Sequence, residues 1–166
     1  MAAELQEVVQ NYYFGSVDVE YVADSFRFKL GRGDIDASNF ILREEDISPK
    51  VVEFMQGLHA HFVKLGVLAN LGKQEYEILS NFNARHQLFE AICGPLPLSL
   101  PLPLLSQEVF AKALQAIGEP PRSCLVVSGD DSYRRFAENI GIKALPFEGF
   151  PKLRQTLDQL LTTESA

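Results

Sequence analysis

The stretch that decides the fold is CLVVSGDDSYRRFAENIGIKAL, residues 124 to 145. The apolar run CLVV is followed by two adjacent acids, then by an amphipathic pattern that ends at Gly141, then by a second apolar run. Short apolar runs bounded by turn residues are typical of buried strands, and the segment between them has helical spacing. The stretch therefore predicts a strand, a helix and a second, parallel strand.

The same alternation occurs upstream. Ser48 and Pro49 begin a helical pattern that runs to Gly66, with Phe62 on its apolar stripe. GVLAN then reads as a short strand, and a second helical pattern runs from about Lys73 to Phe89. Ser106 can cap the helix QEVFAKALQAI, and FPKLRQTLDQLL forms the last helical pattern. An alternating series of this kind predicts an α/β protein, a Rossmann-like three-layer sandwich with a parallel central sheet.

The N-terminal region has a different pattern. VEYVADSFRFKL and IDASNFIL flank a turn at residues 31 to 34 and predict a β-hairpin or two edge strands. We expect one domain, with these strands (1–46) packed on an α/β core (47–161) and a frayed tail (162–166). Only short segments separate the core elements, so no large cap domain is expected.

Charge and composition exclude several classes of partner. The formal net charge of −7 comes without any basic run, which argues against nucleic acid and anionic membrane. No signal-peptide pattern and no apolar stretch of roughly 18 residues occur, so a cytoplasmic protein is expected. Cys93 and Cys124 lie in apolar runs, which predicts buried, reduced thiols.

A proline- and leucine-rich segment, residues 95 to 105, interrupts the alternation. Its prolines fall on alternate positions and remove amide donors from one side of an extended chain, so it cannot be a central strand. Two interpretations remain: a stiff connector with its leucines on the core, or a rim along which a partner docks.

The candidate site residues follow the predicted strands. In parallel sheets, ligands collect beyond the carboxyl ends of the strands. Asn70 follows one strand, and Asp130 and Asp131 follow another. A weaker candidate is the segment from Asp34 to Ser38, in which Asp34 and Asp36 share one side of an extended chain.

The order of these residues resembles the haloacid dehalogenase-like (HAD-like) superfamily, whose members are mostly phosphohydrolases on a Rossmann-like fold. Its first motif is Asp-x-Asp-x-Thr or Ser, and DIDAS, residues 34 to 38, is similar to it. Its fourth motif is a Gly-Asp pair after a buried strand, and Gly129 to Asp131 look like it. The resemblance covers about residues 34 to 145 and implies a parallel α/β fold.

Other positions depart from the family's motifs. Ala69 stands where the second motif has a hydroxyl, and Leu104 or a neighbour stands where the third has a lysine. Arg134 and Arg135 stand where the fourth motif has a further acid. The resemblance is therefore to a degenerate member.

The resemblance implies a role for each matching residue. Asp34 would be the nucleophile, Asp36 the acid and base, and Asp130 with Asp131 the ligands of Mg²⁺, the implied cofactor. Phosphoryl transfer needs positive and hydroxyl groups on the phosphoryl oxygens, and losing one such group typically costs orders of magnitude in rate. Any phosphatase activity should be feeble.

The first-motif assignment competes with three others. Asp34 can lie in a solvated turn, since Gly-Arg-Gly rather than a strand precedes it. Asp18, with Glu20 two residues on, is another candidate nucleophile. If FRFKL is the first strand instead, Arg27 and Lys29 take the place of the carboxylates.

The acids of the opening stretch also have a structural interpretation. Asp130, Asp131 or Ser132 can cap the helix that follows and complement its positive end. Two acids assist a metal site but scarcely complete it without further ligands.

Two functions follow. The first is a binding or regulatory protein, with its catalytic motifs largely eroded, that recognises a protein or a phosphorylated ligand. The second is a Mg²⁺-dependent phosphohydrolase in which Lys73 and Ser38 supply the missing lysine and hydroxyl, with Asn70 on the ligand. The oligomeric state stays open.

Overall fold

The structure is a computed structural model that describes residues 2–13, 16–94 and 106–164. The α-helices are α1 (Ala2–Tyr13), α2 (Val19–Leu30), α3 (Pro49–Ala60), α4 (Lys73–His86), α5 (Gln107–Ile117), α6 (Asp131–Asn139) and α7 (Phe150–Glu164). The strands are β1 (Gly66–Leu68), β2 (Ala91–Cys93), β3 (Leu125–Ser128) and β4 (Lys143–Pro146). The chain divides into two compact units, Met1–Ile117 and Gly118–Ala166.

The second unit contains the strand–helix–strand arrangement predicted from residues 124 to 145. Strands β3 and β4 pair in parallel, with Val126 opposite Ala144. Helix α6 connects them and packs on both, with Ala137 fully buried. Asp130 ends the extended segment and caps α6, and Gly141 lets the chain turn back with a φ of 87°. The prediction for this stretch is confirmed.

The first unit contains a second parallel pair. Strands β1 and β2 pair with Val67 opposite Ile92, and helices α4 and α5 both contact β2. Helices α4 and α5 and strand β1 confirm the predicted alternation. Strand β2 was not predicted, although it is as long as β1. No glycine, proline or other turn residue lies between Asn83 and Ala91, so the sequence does not separate the strand from the helical pattern before it.

The predicted N-terminal hairpin or pair of edge strands is wrong. Residues 2–13 and 19–30 are helices that pack on each other, and residues 37–40 form a 3₁₀ turn. In α2, Val19, Val22 and Ala23 are buried at helical spacing and form a core with Tyr12 and Ala37. The β-branched and aromatic residues of α2 favour a strand, but burial of one helical face overrides that preference.

Helix α3 ends sooner than predicted. The sequence places Phe62 on the buried stripe of a helix that continues to Gly66, whereas α3 stops at Ala60 and Phe62 is 97% exposed. Phe62 has a left-handed φ of 61°, and the Val63 amide donates to the Leu58 carbonyl. This hydrogen bond is the one that closes a Schellman motif, here without glycine.

Three further predictions concern the proline- and leucine-rich segment, the C-terminal tail and membrane-spanning helices. Residues 95 to 105 lie outside the described residues, so both interpretations of that segment stay predictions. The tail predicted to fray from 162 is helical to Glu164, and residues 165 and 166 lie outside the described residues. None of the helices in the described ranges is both long and apolar enough to span a bilayer.

The two cysteines are free thiols. Cys93 is buried at the end of β2 and Cys124 is partly buried just before β3. Burial raises the pKa of the Cys93 thiol above its ordinary value.

Candidate functional site

Asp34 lies in an exposed turn after α2, not at the end of a strand. Both oxygens of its carboxylate are held by Arg32: Nη2 lies 2.5 Å from Oδ2, and Nε lies 3.1 Å from Oδ1. The hydrogen bond from Arg32 lowers the pKa of Asp34. The structure thus has Asp34 in the solvated turn that was the alternative interpretation. Its role as a nucleophile stays a prediction.

Asp36 and Ser38 belong to a local cap. The Ser38 amide donates to Asp36 Oδ1 at 2.9 Å, and the Asp36 amide donates to Asn39 Oδ1 at 2.9 Å. This reciprocal pair is a capping box for the 3₁₀ turn Ala37–Phe40. The hydrogen bonds from Ser38 lower the pKa of Asp36. Both carboxylates of the DIDAS segment therefore have structural partners next to them in the chain.

Asn70 and Lys73 lie beyond the carboxyl end of β1, as predicted. The Ala69 amide completes the ladder by donating to the Cys93 carbonyl at 3.0 Å, and Asn70 is exposed in the loop that follows. Gly72 is the N-cap residue of α4 and Lys73 is its first residue, also exposed. The first unit therefore presents an amide and an ammonium group at one edge of its sheet.

A buried contact beneath this loop was missed by the sequence reasoning. The Tyr12 hydroxyl donates to Glu75 Oε2 at 2.6 Å, and Glu75 is only 5% exposed. A Cβ atom on Gly72 would lie 2.5 Å from both groups, so the loop touches the pair directly. Glu75 is the third residue of α4, where an acid complements the helix dipole. That position was the available signal, but nothing in the sequence identified Tyr12 as its partner.

In the second unit, Asp130 and Asp131 follow β3 as predicted, and the cap interpretation of Asp130 is confirmed. Asp130 Oδ1 accepts hydrogen bonds from the amides of Ser132 at 2.8 Å and Tyr133 at 3.4 Å. The Asp130 amide donates to Ser128 Oγ at 3.1 Å. Burial and the nearby Asp130 carboxylate raise the pKa of Tyr133.

Asp131 is paired with two arginines of its own helix, Arg134 and Arg135. Arg134 Nη2 lies 3.2 Å from Asp131 Oδ1, and Arg135 Nη2 lies 2.7 Å from Oδ2. Arg134 also donates from Nη1 to the Ser128 carbonyl at 2.7 Å, and its side chain is only 19% exposed. The guanidinium group thus ties the first turn of α6 to the end of β3.

These contacts bear on whether the loop suits Mg²⁺. Magnesium is usually held by one or two carboxylates together with waters and substrate phosphates. Here one carboxylate caps a helix, and the other is neutralised by two guanidinium groups. Across residues 2–13, 16–94 and 106–164, no three His, Cys, Asp or Glu side chains come together in a way that could hold a metal ion. The residues present fit a cap and an ion pair better than a metal site.

Comparison with known proteins identifies the fold. No family model matches the chain, and neither does any curated protein. An uncharacterised protein from Corynebacterium glutamicum superposes with a TM-score of 0.60 at 17% identity, over 73% of this chain and 86% of the other. A HAD family enzyme from Bacteroides thetaiotaomicron, solved in complex with magnesium and inorganic phosphate, superposes with a TM-score of 0.59 at 13% identity, over 86% and 78%. The chain therefore has a HAD-like α/β fold.

Proposed function

We propose that this protein is a HAD-like binding or regulatory domain, built on a Rossmann-like three-layer core, that recognises a protein or a phosphorylated ligand and has little or no phosphohydrolase activity. The supporting observation is the pairing of Asp131 with Arg134 and Arg135. In the family that this chain resembles, a further acid stands where these arginines are.

Electrostatics supports this proposal. A divalent cation is stabilised by uncompensated carboxylates, because its charge must be balanced in a partly dry site. The two acids and two arginines at the start of α6 carry no net charge together, and the guanidinium groups repel a cation brought to Asp131. The same arginines suit anionic groups, since a guanidinium binds phosphate or carboxylate through paired hydrogen bonds. Arg135, with 76% of its side chain exposed, is the accessible one.

The acids proposed for chemistry also have local structural partners. Asp34 pairs with Arg32, and Asp36 caps a 3₁₀ turn. A nucleophile held by a guanidinium group beside it is less reactive, because the positive charge stabilises the attacking electron pair. Ala69 offers no hydroxyl beyond β1. These features favour binding over turnover.

A second candidate function is a Mg²⁺-dependent phosphohydrolase. The similar fold of a HAD family enzyme solved with magnesium and phosphate favours it, as does the exposed Lys73 at the first position of α4. In this alternative Asp34 is the nucleophile and Asp36 the acid and base. Lys73, Ser38 and Asn70 contact the phosphoryl group, and Asp130 and Asp131 bind the metal.

An assay with an aryl phosphate and Mg²⁺ separates the two functions. We expect no turnover above that of buffer for the wild type, Asp34→Asn or Asp130→Asn. Asparagine caps helices nearly as well as aspartate, so Asp130→Asn changes charge while keeping α6 capped. Turnover in the wild type that is lost in both variants would establish the enzyme.

Binding is measured in parallel with inorganic phosphate as the probe. We expect phosphate to shift the NMR signals of the Arg135 side chain, and Arg135→Gln to abolish the response. Arg122, an exposed arginine on a 3₁₀ turn of the same unit, supplies the matched control as Arg122→Gln. Phosphate shifts that are equal in both variants would contradict a role for Arg135.

A further inference from the structure

Two aromatic rings lie beyond the carboxyl end of β4, in the second unit. Phe147 follows the strand and Phe150 begins α7, and the two residues are 40% and 38% exposed. Their ring centroids are 5.1 Å apart with an interplanar angle of 73°, which is an edge-to-face arrangement. The carboxyl ends of parallel strands are where ligands collect in α/β folds. A partly exposed aromatic pair therefore lies at the edge where a ligand is expected.

One carbonyl oxygen connects these rings to the arginines of α6. The Ser128 carbonyl, at the end of β3, accepts the Phe147 amide at 3.1 Å and Arg134 Nη1 at 2.7 Å. The backbone of Phe147 and the guanidinium group of Arg134 are thus joined through a single atom. Arg135 follows in the same helix and is the more exposed of the two arginines. Aromatic and guanidinium groups therefore occupy the same edge.

The space above this edge is open. Gly129 is exposed, and an added Cβ atom there would meet nothing within 4 Å. The ion pair between Glu148 and Lys152, beside the rings, adds no net charge. The edge therefore does not repel an anion through its net charge, and the positive end of the α6 dipole favours one.

We propose that the ligand of this edge is a phosphate ester of an aromatic ring. The inference rests on the proposed function, since it specifies the phosphorylated ligand of the same site. Arg135 binds the phosphate oxygens through paired hydrogen bonds, and Phe147 packs against the ring. Only one oxygen atom separates phosphorus from the ring in such an ester, so neighbouring residues reach both groups. An alkyl phosphate offers the first contact alone.

An NMR titration compares phenyl phosphate with methyl phosphate at about pH 8, where both esters carry close to two negative charges. We expect phenyl phosphate to bind roughly tenfold more tightly, because only its ring contacts Phe147. Nuclear Overhauser effects between the phenyl protons and the Phe147 ring should locate the ligand. Equal affinities for the two esters would overturn the inference and leave phosphate binding intact. Binding of neither ester would overturn the inference together with the phosphate-binding part of the proposed function.

The variant Phe147→Leu tests the role of the ring. Leucine keeps an apolar side chain and the backbone amide that donates to Ser128, but it has no aromatic face. We expect the affinity for phenyl phosphate to fall to that for methyl phosphate, which should not change. Phe62→Leu is the matched control, because Phe62 is a more exposed phenylalanine of the first unit. A Phe147→Leu protein that still prefers phenyl phosphate as the wild type does would contradict the proposal.

A second variant, Gly129→Leu, tests the place of the ligand. Gly129 is not among the glycines with a left-handed φ, so a side chain there projects into open space without backbone strain. We expect it to abolish the response to phenyl phosphate. Gly57→Leu, on α3 and equally open, is the control that should respond as the wild type does. An unchanged affinity in Gly129→Leu would show that the ester does not bind above this loop.

A phosphate on an aromatic ring has two sources, a small aryl phosphate or a phosphotyrosine side chain of a protein. A short peptide centred on phosphotyrosine distinguishes them, with the unphosphorylated peptide as its control. Binding of the phosphopeptide at least about tenfold more tightly than phenyl phosphate assigns a protein partner, and equal binding assigns a small ester. Equal binding of the two peptides would overturn the inference, because the phosphate would then contribute nothing.

Discussion

At the scale of single residues, the tightest constraint is at Gly72. A Cβ atom there would come within 2.5 Å of the Tyr12 ring and of Glu75 Oε2, much closer than carbon atoms tolerate. Both neighbours are buried, so neither can move into solvent. Gly72 is therefore required by close packing, since its φ of −71° is open to any residue.

We expect Gly72→Ala to lower the free energy of unfolding by about 1–3 kcal/mol, the usual cost of overpacking. The matched control is Gly57→Ala in α3, where an added Cβ meets nothing within 4 Å. Alanine there should raise the free energy of unfolding by about 0.5–1 kcal/mol through helix propensity. Urea denaturation of the three proteins measures both. A Gly72→Ala protein as stable as wild type would contradict the packing argument.

The carboxylate of Asp34 should titrate below its ordinary range, because Arg32 stabilises the charged form through hydrogen bonds. Since the folded-state pKa is depressed, the stability that this pair contributes is present above the unfolded-state pKa. It is lost as the pH falls through the folded-state pKa. Carbon-detected NMR titration should show the Asp34 pKa rising towards the ordinary value in Arg32→Ala. An unchanged pKa would show that the ion pair is not formed in solution.

Residue roles divide between those that the sequence could indicate and those that it could not. The cap at Asp130 was predictable, because an acid between an apolar run and an amphipathic one is a local signal. The pairing of Asp131 with Arg134 was not predicted, because the sequence analysis considered the arginines only as departures from a family motif. The Tyr12–Glu75 hydrogen bond joins residues 63 positions apart, and no local pattern encodes such a contact.

At the scale of helices and strands, this hydrogen bond connects α1 to the start of α4. Tyr12 belongs to the core that α1 and α2 share, and Glu75 is a buried charged residue in the first turn of α4. A buried carboxylate without a donor is costly, so the pair holds the N-terminal helices to the start of α4 and to the loop before it, which carries Asn70.

Tyr12→Phe should lower the free energy of unfolding by about 1–3 kcal/mol, because Glu75 then keeps its burial and loses its donor. The double variant Tyr12→Phe with Glu75→Leu should recover part of this loss, since both polar partners are then gone. Thermal and urea denaturation provide the measurement. A single variant as stable as wild type would mean that another donor, such as water, replaces the hydroxyl.

Elements with two consistent signals were predictable, and elements with conflicting signals were not. The β3–α6–β4 arrangement has apolar runs, a cap and a terminating glycine that agree with one another. Many residues of helix α2 favour strands, but its buried residues are spaced as on one face of a helix. Strand propensity alone therefore predicted the wrong structure. Strand β2 is as long as β1, but no turn residue separates it from the helical pattern before it, so no local signal marked it.

At the scale of the whole molecule, the fold followed from the order of elements, whereas the activity did not. Alternating strands and helices are enough to predict a parallel α/β fold, and the similarity to a HAD family enzyme supports it. Activity depends on a few side chains placed to within fractions of an ångström, and the order of elements does not specify them.

The net charge of −7 gives a prediction at this scale. Without a basic patch in the sequence, we expect no binding to duplex DNA or RNA at physiological salt, because no counterion release drives it. An electrophoretic mobility-shift assay tests this, and lowering the salt concentration should not reveal binding. A salt-dependent shift would show that local basic groups outweigh the overall charge.

The chain reversal after α3 has a practical consequence. Phe62 has a left-handed backbone conformation that is strained for every residue except glycine. Its apolar ring is also exposed to water. Replacing Phe62 by glycine would keep the bend and remove the exposed ring. This position is therefore the natural one to alter when a sample with less self-association is needed for crystallisation.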